Sequence, residues 1–175
     1  RDNPFILLGE SFSGPLSILL AAGNPPGLKA LVLSATFAAP PRSPWLFRLP
    51  WNLLFRLPAP AWLIRRILTG SNPDPALVAK IYAIARSVKP AVLAHRIRKV
   101  ARTDVTRELQ DCRVPILCLQ AAQDRLLSPD TADIIRRHAP HVVIARVAAP
   151  HMLLQSAPEE CWRQIAQFLG MNRVA

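Results

Sequence analysis

With 175 residues, the chain is long enough to bury a sizeable core, and its net charge of +11 could reflect either its partners or a compositional bias towards arginine, proline and alanine. No apolar run reaches the length of a membrane span, and Cys112, Cys118 and Cys161 show neither a disulfide framework nor metal-ligand spacing. These features argue against a metalloprotein or a disulfide-stapled module, and they predict a cytoplasmic chain that needs no cofactor.

The first 38 residues predict a strand, a sharp turn, a helix and a second strand. Phe5–Leu8 is apolar without interruption, Pro15–Ala22 begins with proline and ends before a Gly/Pro-rich loop, and Leu28–Phe37 is typical of a buried strand. The turn holds a serine between small residues, in the run Gly9-Glu10-Ser11-Phe12-Ser13-Gly14. A serine at such a turn has a left-handed backbone, so its neighbours must be small. Ser13 stands where a second glycine is commoner.

Residues 39–113 contain no convincing strand and carry most of the positive charge, with 14 Lys and Arg against four acids. Prolines divide this stretch into short predicted helices at 45–57, 62–68, 76–88 and 91–102. It is therefore predicted to be a helical insertion. Residues 42–66 hold five arginines and no acid, interleaved with Trp45, Phe47, Trp51, Phe55 and Trp62.

Two interpretations of this basic and aromatic stretch stay open. The aromatic side chains could pack the insertion onto the core while the arginines are solvated. Alternatively, the stretch could contact lipid peripherally or accept an acyl chain with an anionic head. Nucleic acid is not predicted as a partner, because no recognised binding motif accompanies the charge.

From Val114 the alternation of strand and helix resumes. Strands are predicted at 115–120 and 142–147, and helices at 129–138, capped by Ser128, and at 157–169. Continuous apolar strands alternating with helices indicate an α/β protein with a parallel sheet flanked by helices. The predicted division is a core at 1–38, the helical insertion at 39–113, and the rest of the core at 114–175.

A serine nucleophile needs a histidine to take its proton and a carboxylate to orient that histidine. Asp124 directly follows one predicted strand and His151 follows the next, so both should lie with Ser11 at one edge of the sheet. Taken singly, Ser11 could be a turn residue, Asp124 a capping acid and His151 a core histidine. Their joint order favours catalysis. Asp130 and Asp133 compete for the acid role, but both fall within the next predicted helix.

On these three motifs the chain resembles the C-terminal portion of a lidded member of the α/β-hydrolase superfamily. The resemblance implies a Ser-His-Asp triad of Ser11, His151 and Asp124, an oxyanion donor at the Phe12 N–H, a lid formed by the insertion, and no metal. It also implies a serine hydrolase that cleaves a carboxylic ester or related small acyl substrate through an acyl-enzyme.

Two alternatives to hydrolysis remain on this scaffold: an acyltransferase, and a non-catalytic binding or membrane-surface protein. The resemblance places a second oxyanion donor after an earlier strand, upstream of Arg1. The 175-residue chain by itself is therefore expected to be weakly active or inactive, with an unpaired sheet edge prone to association.

Overall fold

The computed structural model describes residues 3–40, 49–56, 60–70 and 74–171. None of the helices in these ranges combines the length and the apolar character that a membrane crossing requires. In chain order the elements are β1 (Phe5–Glu10), α1 (Ser13–Ala22), β2 (Leu28–Ser34), α2 (Trp51–Leu54), α3 (Ala61–Ile64), a π-helical turn (Arg65–Thr69), α4 (Pro75–Ser87), α5 (Pro90–Val100), α6 (Thr106–Asp111), β3 (Ile116–Ala121), α7 (Thr131–His138), β4 (Val143–Val147), α8 (Leu153–Ser156) and α9 (Pro158–Phe168).

The four strands form one parallel sheet in the order β1-β2-β3-β4. One row of paired residues crosses the whole sheet near its carboxyl edge: Glu10, Ser34, Leu119 and Ala145. The predicted parallel α/β sheet is confirmed. Because every strand runs the same way and ends near this row, the loops that follow β1, β3 and β4 emerge at one edge.

Two apolar layers cover the sheet, one on each face. Residues of β2 alternate between them: Leu31 and Leu33 pack with α1, α6 and α7, whereas Val32 packs with α8 and α9. Burial on both faces explains why β2 and β3 are apolar along their whole length and show no polar alternation. The helices packed on both faces therefore hold the strands, and with them the carboxyl edge of the sheet, in position.

The described part of residues 39–113 contains helices and no strand. Of the helix predicted at 45–57, residues 45–48 and 57 lie outside the described residues, and Pro50 immediately precedes α2. Helix α6 was not predicted from the sequence, because it is only six residues long. It nevertheless belongs to the core, since Leu109 is fully buried against α1 and α7.

Several predicted boundaries shift for local reasons. Strand β2 ends at Ser34 and not at residue 37, because Ala35 has φ 41° and leaves the strand. Helix α7 begins at Thr131, and the predicted side-chain cap by Ser128 is wrong: Ser128 instead accepts a bond from Thr131 N through its backbone oxygen. Residues just before α9 form a further short helix, α8, which begins two residues after His151.

Strand β1 forms one edge of the described sheet and pairs with β2 alone. This edge was predicted. Its outer surface is apolar, since large side chains of β1 and α1 are exposed there: Phe5, Ile6, Leu8, Leu16, Leu19 and Leu20. An unpaired strand with apolar side chains is a surface on which another element can pair and pack.

Gly14 allows α1 to approach the end of β2. A Cβ at this position would lie 2.6 Å from Thr36 Cβ and would also overlap Thr36 Oγ1. We predict that Gly14→Ala lowers the free energy of unfolding by about 1–3 kcal/mol, because the overlap exceeds the gain in helix propensity. Urea denaturation measures it. Gly23→Ala is the control, because a Cβ there meets only the Leu20 carbonyl oxygen, at 3.3 Å; equal losses in both variants would contradict the packing role of Gly14.

Candidate active site

Ser11 occupies a tight turn between β1 and α1 with φ 51°, in the predicted left-handed region. The turn is bonded to the end of β2 on both sides. Ser11 N donates to the Ser34 carbonyl oxygen (2.9 Å), and Thr36 Oγ1 donates to the Ser11 carbonyl oxygen (2.6 Å). These bonds hold a non-glycine residue in a backbone conformation that costs energy on its own, and so they fix the direction of the Ser11 side chain.

Ser13 replaces a glycine of the common turn pattern, and its side chain has a structural use. Ser13 Oγ donates to the Glu10 carbonyl oxygen and accepts from Glu10 N, both at 2.8 Å. The hydroxyl thus spans the turn around Ser11. The close approach of helix to strand, which a glycine at position 13 would serve, instead involves Gly9 and Gly14, where an added Cβ would overlap neighbouring atoms.

The three residues singled out from the sequence are brought into one hydrogen-bonded chain. Ser11 Oγ lies 2.8 Å from His151 Nε2, and His151 Nδ1 lies 2.8 Å from Asp124 Oδ2. The pairs are separated by 140 and 27 positions in the sequence. The loops after β1, β3 and β4 carry Ser11, Asp124 and His151 respectively, so the shared edge of the sheet creates the arrangement.

The hydrogen bonds of Asp124 indicate which ring nitrogen of His151 is the donor. Asp124 Oδ1 accepts bonds from the backbone N–H groups of Leu126 (2.8 Å) and Leu127 (2.9 Å). A carboxylate only accepts, so His151 Nδ1 must carry the proton that it donates to Oδ2. Nε2 is then the acceptor for the Ser11 hydroxyl. The His151 and Asp124 side chains are 3% and 9% exposed, which limits competition from water.

Phe12 follows Ser11 at the start of α1, and no described residue accepts a bond from its backbone N–H. The N–H is therefore available to a developing negative charge beside Ser11. The ring of Phe12 has a partner that the sequence did not predict: the guanidinium carbon of Arg96, on α5, lies 5.9 Å from its centroid. This cation–π contact joins α5, which lies between β2 and β3 in the chain, to the serine turn.

Glu10, directly before Ser11, faces the segment that follows His151. Its Oε2 accepts a bond from Gln155 Nε2 (2.9 Å), and its Oε1 lies 3.5 Å from Leu154 N. Both partners belong to α8, the helix that begins two residues after His151. No sequence signal indicated this contact, because it joins positions 144 and 145 residues apart.

The other candidate residues lie outside the hydrogen-bonded chain of Ser11, His151 and Asp124. Asp133 is exposed on α7, Asp130 precedes that helix, and the three remaining histidines, His95, His138 and His141, lie outside the site. No cluster of His, Cys, Asp or Glu in the described ranges could hold a metal ion. A cavity of about 190 Å³ is lined by Asp124 and, among others, by Cys118, Gln120 and Arg146, whereas neither Ser11 nor His151 lines it.

This chain belongs to the α/β-hydrolase family described as "Serine aminopeptidase, S33", whose model matches residues 1–155. No curated protein sequence matches the chain. Three solved structures show the same fold at low identity. An enol-lactonase from Burkholderia xenovorans LB400 has a TM-score of 0.81 and 16% identity over 97% of this chain and 66% of its own.

The second structure is a membrane phospholipase A, a bacterial virulence factor, with a TM-score of 0.77 and 20% identity over 99% of this chain and 59% of its own. The third is an α/β hydrolase enzyme from a Medee basin deep-sea metagenome library, with a TM-score of 0.68 and 18% identity over 99% of this chain and 68% of its own. The chain thus spans 59 to 68% of the length of these structures.

All three cysteines are buried free thiols. Burial raises the pKa of Cys118 to about 12 and that of Cys112 to about 11, and it also raises the pKa of Cys161. At pH 8 a thiol of pKa about 11 is roughly 10⁻³ ionised, against about a quarter for an ordinary cysteine. We therefore predict that a disulfide reagent titrates no thiol of the folded protein within minutes and all three after unfolding in urea. One rapid equivalent in the folded state would show that a cysteine is exposed and ionisable.

Proposed function

We propose that the protein is a serine hydrolase that cleaves a carboxylic ester or a related small acyl compound. The observation that carries the proposal is the continuous chain from Ser11 Oγ through His151 to Asp124, with both bonds at 2.8 Å. A serine hydroxyl is barely ionised at neutral pH and is therefore a weak nucleophile. A histidine base oriented by a carboxylate activates it, and this is the arrangement seen here. Membership of a hydrolase family supports the same reaction class.

In the first half of the proposed reaction, Ser11 Oγ attacks the carbonyl carbon while its proton passes to His151 Nε2. The resulting imidazolium is stabilised by Asp124 Oδ2 at Nδ1. The carbonyl oxygen becomes an oxyanion, which the Phe12 N–H stabilises. Collapse of the intermediate breaks the bond to the leaving alcohol, and His151 returns the proton to that alcohol. The product is an acyl group on Ser11.

In the second half, water replaces the alcohol. His151 takes a proton from the water, whose oxygen attacks the acyl carbon. The bond between the acyl carbon and Ser11 Oγ then breaks, His151 returns the proton to Oγ, and the acid is released. The Asp124 carboxylate stays ionised throughout and serves to orient the ring. Its two backbone donors, Leu126 and Leu127, hold it in place during both halves.

The substrate class is proposed from the chemistry of the site and from similar folds. A neutral serine hydroxyl with a histidine base suits an acyl carbon bearing an oxygen leaving group. The enol-lactonase and the phospholipase A are named for ester substrates, a lactone and a phospholipid. Acyl transfer would use the same acyl-enzyme with another acceptor in place of water, and no feature of the described site favours such an acceptor.

A fluorophosphonate probe tests the nucleophile in the protein that contains this chain. We expect labelling of Ser11 alone, located by peptide mass spectrometry, and its loss in Ser11→Ala. Hydrolysis of 4-nitrophenyl esters should fall by about 10³-fold or more in Ser11→Ala and in His151→Ala, since the activated serine acts as a unit with its base. Ser87→Ala, at the exposed end of α4, is the matched control and should keep full labelling. Labelling that persists in Ser11→Ala would overturn the assignment.

We further propose that Glu10 is a positioning residue. Its carboxylate is attached to the strand that carries Ser11, and its partner Gln155 belongs to the helix that follows His151. Without this bond the distance between Ser11 Oγ and His151 Nε2 would be held less tightly, although no group that touches the reacting atoms would be lost. Since the proton transfer depends on that distance, the effect should fall on the chemical step.

We predict that Glu10→Ala lowers kcat by about tenfold, the effect of a lost charge-assisted hydrogen bond, while KM changes little. Glu10→Gln should restore most of the rate, because its amide oxygen can still accept from Gln155. Glu159→Ala removes an exposed acid from the first turn of α9 and is the control. A change confined to KM, or an equal loss in the Gln variant, would contradict a positioning role.

A further inference from the structure

A second cavity lies beside the triad, with a volume of about 360 Å³ and walls formed by Trp62, Arg65, Arg66, Gly70 and Arg125. Its volume is within the range of small-molecule sites. Three of its five lining residues are arginines, and none of the three forms an ion pair or a hydrogen bond with an acid among the described residues. Like charges around one cavity repel, and an anion bound between them relieves that repulsion.

The excess of basic residues does not by itself explain this cavity. With 22 Lys and Arg against 11 acids, many arginines of the chain must lack an acidic partner. These three differ because they converge on one concavity from two separate segments, the π-helical turn and the Asp124 loop. An exposed indole also completes the wall, since Trp62 is 64% exposed. An arginine guanidinium binds carboxylate and phosphate oxygens through paired N–H groups, which suits such a site.

Both segments that form the cavity are connected to the triad. Arg125 directly follows Asp124 in the chain. The Leu68 carbonyl oxygen accepts a bond from Met152 N (2.9 Å), and a Cβ at Gly70 would lie 3.5 Å from the Pro150 side chain. The segment with Arg65 and Arg66 therefore contacts the residues on both sides of His151. The cavity is therefore built from segments next to Asp124 and His151, although none of Ser11, Asp124 and His151 lines it.

We propose that this cavity binds an anionic group, a carboxylate or a phosphate, at the far end of the substrate whose acyl carbon Ser11 attacks. The inference rests on the proposed hydrolase function and extends it from esters in general to esters with an anionic group remote from the reacting carbonyl. Binding at a remote group orients the substrate and supplies energy for the reaction at Ser11. Trp62, in the same wall as the arginines, offers an apolar surface to the part of the substrate next to the anionic group.

The test compares neutral and anionic esters of matched length. Mono-4-nitrophenyl esters of dicarboxylic acids, from glutarate to sebacate, are each paired with the 4-nitrophenyl ester of the monocarboxylic acid with the same number of carbons. At one or more lengths, kcat/KM for the anionic ester should exceed that for its neutral partner by at least tenfold. The ratio should fall at least tenfold in Arg66→Gln and in Arg125→Gln. It should not change in Arg98→Gln, which removes an exposed arginine of α5 outside the cavity.

A binding measurement separates this inference from the proposed hydrolysis. In Ser11→Ala, inorganic phosphate and glutarate should bind calorimetrically, with Kd at least tenfold higher once Arg66→Gln is added. If no ester is hydrolysed but this binding holds, the hydrolase proposal fails and the anion site stands. If esters are hydrolysed through Ser11 with no anionic preference at any length, or the arginine variants leave both the ratio and the binding unchanged, the anion site is overturned.

Membrane binding is the rival use of the same arginines, because a lipid headgroup offers the same phosphate chemistry. Exposed Leu53, Leu54 and Trp62 favour it. Sedimentation with vesicles of phosphatidylcholine alone and with added phosphatidylserine distinguishes the sources. Loss of vesicle binding in Arg66→Gln and Arg125→Gln, with the ratio for soluble esters unchanged, would assign the arginines to a surface and reject a substrate site.

Discussion

The parallel register of the sheet is the constraint on which the rest of the structure depends. The paired row that runs from Glu10 on β1 to Ala145 on β4 lies at the last residue of β1 and β2 and two residues before the ends of β3 and β4, so the four carboxyl ends lie close together. Ser11, Asp124 and His151 each follow one of those ends within a few residues. A register slip of one residue in a strand would turn its side chains to the opposite face of the sheet. It would also move the site residue that follows that strand by the rise of one residue along the strand. The pairing of the strands therefore sets the relative positions of Ser11, Asp124 and His151.

Strand β2 contributes no member of the hydrogen-bonded chain of Ser11, His151 and Asp124, yet it anchors Ser11, the member with a left-handed backbone. The left-handed backbone of Ser11 costs about 1–2 kcal/mol for a residue with a side chain. Ser34 and Thr36, at the end of β2, bond to Ser11 N and Ser11 O, and Gly14 lets α1 pack close above them. The cost is offset by bonds that form in the folded state regardless of substrate. The serine is consequently oriented before any ligand arrives.

The sequence was sufficient for features whose cause is local or periodic. Continuous apolar runs predicted β2 and β3, and a serine between small residues predicted the turn at Ser11, because strands buried on both faces and left-handed turns restrict composition directly. Helix α6 could not be predicted because six residues are too few to show a helical periodicity, although Leu109 belongs to the core. The bonds of Glu10 to α8 and the contact of Arg96 with Phe12 could not be predicted, since each requires the relative placement of distant segments.

The helical segments between β2 and β3 contact the candidate site at two points. Arg96 on α5 contacts Phe12, which follows the serine, while Leu68 bonds to Met152, which follows the histidine. Residues at and just beyond the end of β2 thus hold Ser11 by hydrogen bonds, whereas the helical segments between β2 and β3 contact Phe12 and the neighbours of His151. Proton transfer requires Ser11 and His151 to stay within hydrogen-bond distance. In the proposed reaction, a ligand that shifts the segment with Arg65 and Arg66 would also move the backbone next to His151. It would thereby change the Ser11–His151 distance on which proton transfer depends.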